Sequence, residues 1–475
     1  MSSARWLTGR MDAAPEPSGH ADPSGYIDDF ARFISASPSS YHAAAEAGRQ
    51  LERAGFTRLV ETEPWFGDQD GSAGRFFVIR DGAIVAWFTP EGAGPSSPFR
   101  ILGAHTDSPG FKLKPKPTTA SNGWLQAGVE IYGGPLLNSW LDRELELAGR
   151  LVTRDGREHL VRTGPFLRIP QLAIHLDRDA NSGLTLDRQR HTNPVFGVGD
   201  LSRADLVGHL AALAGEGLAG DDVLGYDILT ADTAAPARFG LGGELFAAGR
   251  MDNLSSVYAG LRALLDVAAT GPDAPAGRGS ASSATHTSVL AAFDHEELGS
   301  ESRSGASGPL LDDILTRISV ALGGTGEQRL RAYAGSWCLS ADAGHSVHPN
   351  YPEKHDPVNR PVAGRGPLLK INGNQRYATD AHGAALWTNA CAEAGVAYQE
   401  FVSNNTVPCG STIGPLTATR LGIRVVDVGV PLLSMHSARE LAHVDDLAAL
   451  SRAVTAFFAP ASAVTPAPAA ESLKV

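Results

Sequence analysis

The sequence predicts an α/β body interrupted by a β-rich insertion, and three observations carry that prediction. Continuous apolar runs at 288–293 and 423–430 read as strands covered on both faces. Leu254, Val257, Tyr258, Leu261, Leu264 and Leu265 fall at helical i, i+3, i+4, i+7 spacing just before the first of those runs. From about Ser108 to Gly243 this alternation lapses, and strand-like runs joined by turns replace it.

Taken in order, residues 26–54 carry a helical pattern. RFFVIR and AIVAWF follow as two strands, with Asp81-Gly82 as the hairpin turn between them. The run at 99–104 stops at His105-Thr-Asp. Within the insertion, 145–153 and 159–162 flank a second Asp-Gly turn, and a helix is expected at 204–213. Residues 1–25 and 459–475, rich in Ala, Pro, Ser and Gly, read as a disordered leader and tail, with Met11 as an alternative start. The stretch 271–283 has the same character and reads as a surface loop. The expected division is a discontinuous body of 26–107 and 247–458 around an insertion of 108–246.

Composition narrows the function. With 43% hydrophobic and 19% charged residues, the chain can bury a sizeable core. A net charge of −12 argues against nucleic acid and means that an anionic substrate needs local positive charge. Cys338, Cys391 and Cys409 are odd in number and far apart, which excludes a thiolate zinc site of the CxxC type and suits reduced cysteines. No apolar run reaches the ~20 residues needed to span a bilayer, and the N-terminus has no apolar core of a secretory signal. A cytoplasmic location without membrane partners is the expectation.

The chemistry-bearing residues gather at strand ends. His105 and Asp107 form an H-x-D, in which residues two apart address one point. Asp252 precedes the amphipathic helix, where it can cap the helix or bridge two cations with its two oxygens. Glu296 and Glu297 leave the buried run SVLAAF as adjacent acids, so that one can bind metal while the other serves as general base. Asp342 ends WCLSAD and leads to His345 and His348. His436 follows IRVVDVGVPLL at what reads as a strand-to-helix junction, and His175 in LAIHL reads as a strand histidine. His105, Asp252, Glu297, Asp342 and His436 make a hard-to-borderline ligand set suited to Zn2+, Mn2+ or Co2+. Two divalent ions against three carboxylates leave one positive charge for a hydroxide to neutralise. No G-x-S-x-G, H-E-x-x-H or Walker A motif competes, and CGSTIG reads as a substrate-binding turn. The residues alone reach a metal-dependent hydrolase, with peptide, ester, amide and phosphate substrates all open.

GAHTDSPGFKLKPKP, RMDNLSS, FDHEELGS, ADAGHSVHPNYPEKHDP, KINGNQRYATD, PCGSTIGP and MHSARE, in that order, resemble the aspartyl aminopeptidase family of dinuclear zinc peptidases. The resemblance implies a zinc-peptidase-like α/β/α sandwich with an inserted dimerisation domain. It implies two zinc ions per subunit, with Mn2+ or Co2+ as alternatives in one site. His105 and Asp342 would hold one ion, Glu297 and His436 the other, and Asp252 would bridge them. Glu296 matches the general base that activates a zinc-bound hydroxide, and Asp107 the acid that orients the first histidine. His175 matches a histidine given to a neighbouring subunit, and His345 and Lys370 match substrate contacts. Removal of N-terminal Asp or Glu from peptides, by a cytoplasmic tetrahedral dodecamer, is the implied activity. A metalloaminopeptidase of broad or Leu-type preference and a catalytically silent shell for assembly or cargo are the alternatives.

Overall fold

The computed structural model describes residues 23–66, 73–269 and 286–459, so 1–22 of the expected leader, 460–475 of the expected tail and the 271–283 loop lie outside it, while 23–25, expected in the leader, open the first helix. Its main sheet has nine strands in the order Thr57–Arg58, Gly74–Arg80, Ala83–Thr89, Thr287–Phe293, Phe99–His105, Trp337–Ala341, Arg424–Gly429, Leu368–Ile371 and Gln399–Val402. The four strands from Thr287–Phe293 to Arg424–Gly429 run parallel, and antiparallel pairs flank them. Every residue of Thr287–Phe293 is buried, which explains why that segment is apolar without alternation.

Successive side chains feed opposite cores. Leu102 and Leu290 point into one with Phe30, Tyr258, Trp387 and Phe457, while Ile101 and Val289 point into another with Trp87, Ile314 and Ile413. Helices Pro23–Ala36, Ser40–Arg53, Met251–Ala269, Ala381–Ala394 and Val444–Phe458 supply the first layer; Leu310–Ala321, Gly326–Gly335 and Ile413–Leu421 supply the second. The body is therefore the expected α/β/α sandwich. The hairpin at Asp81-Gly82 also forms, with Arg80 opposite Ala83 and Asp81 at φ 57.

Residues 110–232 contain all six strands of a separate antiparallel sheet, in the order Glu158–Arg162, Leu145–Thr153, Val223–Asp232, Gly110–Ser121, Trp124–Tyr132 and Val195–Val198. Phe111, Trp140, Leu147, Leu210 and Ile228 form its own core. Arg150 ties it to the body: its guanidinium lies 2.9 Å from Asp81 and 3.0 Å from Asp227, and 4.6 Å over the Tyr41 ring.

Three local expectations differ. The helix expected over 26–54 is two helices, because Pro38 cannot continue the first and Ser39 caps the second by accepting the His42 amide. His175 is in an exposed turn, not a strand. His436 enters no helix; it sits in a turn that leads to the strand Glu440–His443, which pairs with Leu245–Ala248 in a three-stranded sheet.

Candidate metal centre

Parallel strands bring their carboxyl ends to one edge, and this is where the acids and imidazoles collect. Phe293 lies opposite His105 in register, so the chain leaving Phe293 delivers Glu296 and Glu297 beside that imidazole. Asp342 directly follows Trp337–Ala341. Asp252 arrives from the end of Leu245–Ala248, and His436 from the turn after Pro431–Leu432.

Three ligand groups result; one joins His105, Glu296 and Glu297, and the other two share Asp252. His105, Asp252 and Asp342 place donor atoms together, as do Asp252, Glu297 and His436. Asp252 divides its oxygens between them: Oδ1 lies 3.3 Å from His105 Nε2, and Oδ2 lies 3.5 Å from His436 Nε2. His105 Nε2 to Asp342 Oδ1 and His436 Nε2 to Glu297 Oε2 are each 3.5 Å. Donors around a tetrahedral zinc at about 2.0–2.1 Å lie roughly 3.3 Å apart, which matches these separations. Asp252 does not act as the helix cap that its position allowed: its buried Oδ1 accepts no hydrogen bond, and its Oδ2 faces His436 Nε2. Glu297 Oε1 is buried without a partner as well. Orphaned carboxylate oxygens at this depth fit cations and little else.

Both imidazoles are aimed by their other nitrogen. His105 Nδ1 donates to the Asp107 carbonyl at 3.0 Å, and His436 Nδ1 to the Gly134 carbonyl at 3.0 Å, which leaves each Nε2 free for a metal. Asp107 contributes more through its carboxylate, which accepts the Glu296 amide at 3.0 Å, the Glu297 amide at 3.2 Å and the Tyr132 hydroxyl at 2.8 Å. That carboxylate therefore fixes the turn carrying both glutamates.

The electrostatics favour cations. Burial opposes charge on Asp252, but His105 and His436 outweigh it and hold it far below the usual carboxylate range. Burial would lower His436, yet Asp252 and Glu297 drive it up to about 10. Glu296 is pushed up to about 7 by burial, with Asp342, Asp107 and Asp252 adding to the rise. Its Oε2 lies 4.0 Å from His105 Nε2, so it faces the cluster.

Beside the cluster is a chamber of about 330 Å3 lined by His345, His348, His355, Tyr377, Phe401 and Leu432 among others, with no acid among its described lining residues. His345 is thus in the chamber and not among the metal groups. Lys370 is 1% exposed, donates to the Ala343 carbonyl at 2.8 Å and lies 4.0 Å from Asp342 Oδ2. His175 belongs to the insertion and is outside the cluster. In the CGSTIG turn, Thr412 caps the helix Ile413–Leu421 and Gly410 reaches the chamber wall.

Sequence reasoning did not single out Tyr132, the Gly134 carbonyl or Glu440. Glu440 is 2% exposed and accepts the Asp252 and His436 amides, each at 3.0 Å. Burial and Asp252 push it up to about 8. Its signal was the acid four residues past His436 in MHSARE; nothing in the sequence marks Tyr132 or Gly134.

Comparison with known proteins decides the family. The family model described as Aminopeptidase I zinc metalloprotease (M18) matches residues 33–458. The chain belongs to the M18 family of zinc metalloproteases. M18 relatives named probable M18 family aminopeptidase 2 include one from Streptomyces coelicolor, 53% identical over 92% of this chain and 98% of the relative. Another, from Mycobacterium leprae, is 44% identical over 90% of this chain and 97% of the relative. Among solved structures, that of the Ape4 and Nbr1 complex superposes with a TM-score of 0.86 at 33% identity, covering 92% and 86% of the two chains. The S. cerevisiae mApe1 dodecamer gives 0.77 at 28% identity, covering 91% and 96%. An M18 aminopeptidase is a hydrolase, as the metal-binding edge of the sheet led one to expect. No helix among the described residues is long and apolar enough to cross a membrane.

Proposed function

We propose that this M18 aminopeptidase holds two zinc ions and removes an acidic residue, Asp or Glu, from the N-terminus of peptides. The observation that carries the two-ion reading is the division of Asp252, one oxygen toward His105 and Asp342 and the other toward Glu297 and His436. His105 and Asp342 would hold one ion, Glu297 and His436 the other, and Asp252 would bridge them. Mn2+ or Co2+ is an alternative occupant of one site. When bound, the ions supply Lewis acidity for a carbonyl oxygen and acidify water near neutral pH.

The remaining work falls to the chain. Glu296, close to the ligands without belonging to either three-residue group that shares Asp252, accepts a proton from the attacking water and returns it to the leaving amine. Asp107 holds Glu296 and Glu297 in place through their amides. The acid-free chamber beside His345 receives the first side chain, and Lys354 in its lining supplies local positive charge against the −12 background, while burial lowers His345 and His355 and keeps them as neutral hydrogen-bonding groups. Lys370 adds to that field from behind Asp342. We further propose that residues 108–246 pair subunits, that His175 reaches a neighbouring subunit's site from there, and that the assembly is a cytoplasmic dodecamer like that of mApe1.

A second reading keeps the metal chemistry but broadens the preference toward Leu, because Phe401 and Leu432 give the chamber apolar walls and Lys370 is turned toward Asp342. Initial rates on Asp-Ala-Ala and Leu-Ala-Ala with zinc supplied separate the two: faster Asp release is expected, and faster Leu release overturns the acidic preference. Glu296→Gln should retain both metals and lose turnover by at least a hundredfold; near-normal turnover sinks the general-base assignment. A silent shell would bind metal and cleave neither peptide.

A further inference from the structure

We infer that Glu440 is a positioning residue that locks the bridging ligand to the second histidine, so that one carboxylate sets the geometry of the His436 side of the centre. The inference rests on the two-ion reading and concerns what shapes that site.

The sheet explains why Glu440 can do this. Ala248 lies opposite Glu440 in register, and the chain leaving Ala248 turns through Gly249 and Arg250 to Asp252. On the other side of the same strand, Leu433 and Leu441 exchange backbone hydrogen bonds of 2.9 and 3.1 Å, closing the turn that carries His436. The turns bearing Asp252 and His436 therefore spring from neighbouring rungs, and Glu440 sits where they meet. Its Oε2 accepts the Asp252 amide and its Oε1 the His436 amide, both at 3.0 Å, joining residues 188 and 4 positions away in sequence.

Only a carboxylate of this length serves both donors. A glutamate side chain offers two oxygens that can both accept, whereas glutamine would set its NH2 against one of the two amides. Aspartate is one methylene shorter and cannot span the same gap from the same backbone position. The two ligand groups also differ in dependence on this device. His105 is aimed by the Asp107 carbonyl, and Asp342 has Lys370 behind it. His436 has the Gly134 carbonyl at its ring and Glu440 at its backbone. Disturbing Glu440 should therefore weaken the ion shared by Glu297 and His436 more than the ion shared by His105 and Asp342.

The test is a zinc titration of the full-length protein after chelation, with bound metal read by elemental analysis. In the wild type two ions should bind. In Glu440→Gln and in Glu440→Asp one of the two steps should weaken by about 10–100-fold, as loss of a group that orients a ligand typically does, while the other moves little. Chelated variants should keep the wild-type circular dichroism and melt within a few degrees of it. Titrations that coincide with the wild type overturn the inference. So does an equal loss at both steps, or a Glu440→Asp that binds normally, since charge alone would then suffice. Should the variants not fold, amide exchange of the chelated wild type decides: slow exchange in the peptides holding Asp252 and His436 supports the clamp, and unprotected exchange overturns it. A wild type that binds no divalent ion would instead remove the two-ion reading itself, a different outcome from two tight ions in every variant.

Discussion

His286 makes the protein sensitive to mild acid, by an amount the structure lets one work out. It is 5% exposed at the head of the central strand Thr287–Phe293, and its Nε2 donates to the Phe458 carbonyl at 2.8 Å. Its pKa falls from 6.5 to about 4, chiefly through burial, with the Phe458 bond opposing the fall and nearby Arg100 adding to it. The folded value is below the unfolded one, so the unfolded chain binds the proton first. The stabilisation is complete above pH 6.5 and is lost as pH falls toward 4. With those two values, acidification from pH 7 to pH 4.5 costs roughly 2.5 kcal/mol through this histidine alone. His286→Gln keeps an N–H for Phe458 and cannot titrate. Guanidinium unfolding of wild type and variant, both chelated, at pH 7 and pH 4.5 isolates the effect, because every other proton-linked group is shared. The variant should be equal or slightly weaker at pH 7 and should lose about 2.5 kcal/mol less on acidification. Parallel losses in the two proteins would refute the argument from burial. His42, lowered to about 4 by burial with Arg162 adding, should add a loss of similar size in the same pH window.

Two further outcomes follow from the tie between insertion and body. Tyr132→Phe removes a 2.8 Å hydrogen bond to the buried Asp107 carboxylate and should lower kcat/KM about tenfold to a hundredfold, at about 1.5–3 kcal/mol for a bond to a charged group; unchanged kinetics at equal zinc content would show that Asp107 needs no help from the insertion. Arg150→Met leaves Asp81 with Arg303 and Asp227 with Lys112 as remaining partners, removes the cation over Tyr41, and should cost about 1 kcal/mol. Its melting midpoint should fall most at low salt, and a midpoint equal to the wild type there counts against the network.

Much of the body was legible because burial on both faces leaves a mark in one dimension. Val289–Phe293 is apolar throughout, and Arg424–Gly429 is apolar but for the exposed Arg424 and the buried Asp427, because both strands lie in the middle of a two-sided sheet, and the Asp81-Gly82 turn had to tolerate positive φ. The candidate metal ligands were legible for a related reason. A buried strand that ends abruptly in His or Asp, or in two adjacent glutamates, puts charge where solvation is poor, and only function makes that worthwhile. Where the signal was weak, the local reading failed. Pro38 broke a helix whose periodicity ran past it, and His436 looked like a helix entrance because the four-residue strand Glu440–His443 is too short to show a period.

By itself, then, the chain determined the α/β class, the boundaries of its buried strands and the residues able to hold a metal, since each depends on the side chains of one short segment. The tertiary structure alone decided how Asp252 divides its oxygens, that Asp107 works through the amides of Glu296 and Glu297, and that Tyr132, Gly134 and Glu440 stand behind the ligands. These are contacts between residues far apart in sequence, made by backbone groups that every residue carries or by polar side chains whose partners only folding selects. No local pattern encodes them, because their partners come from other segments and meet only after the sheet has assembled.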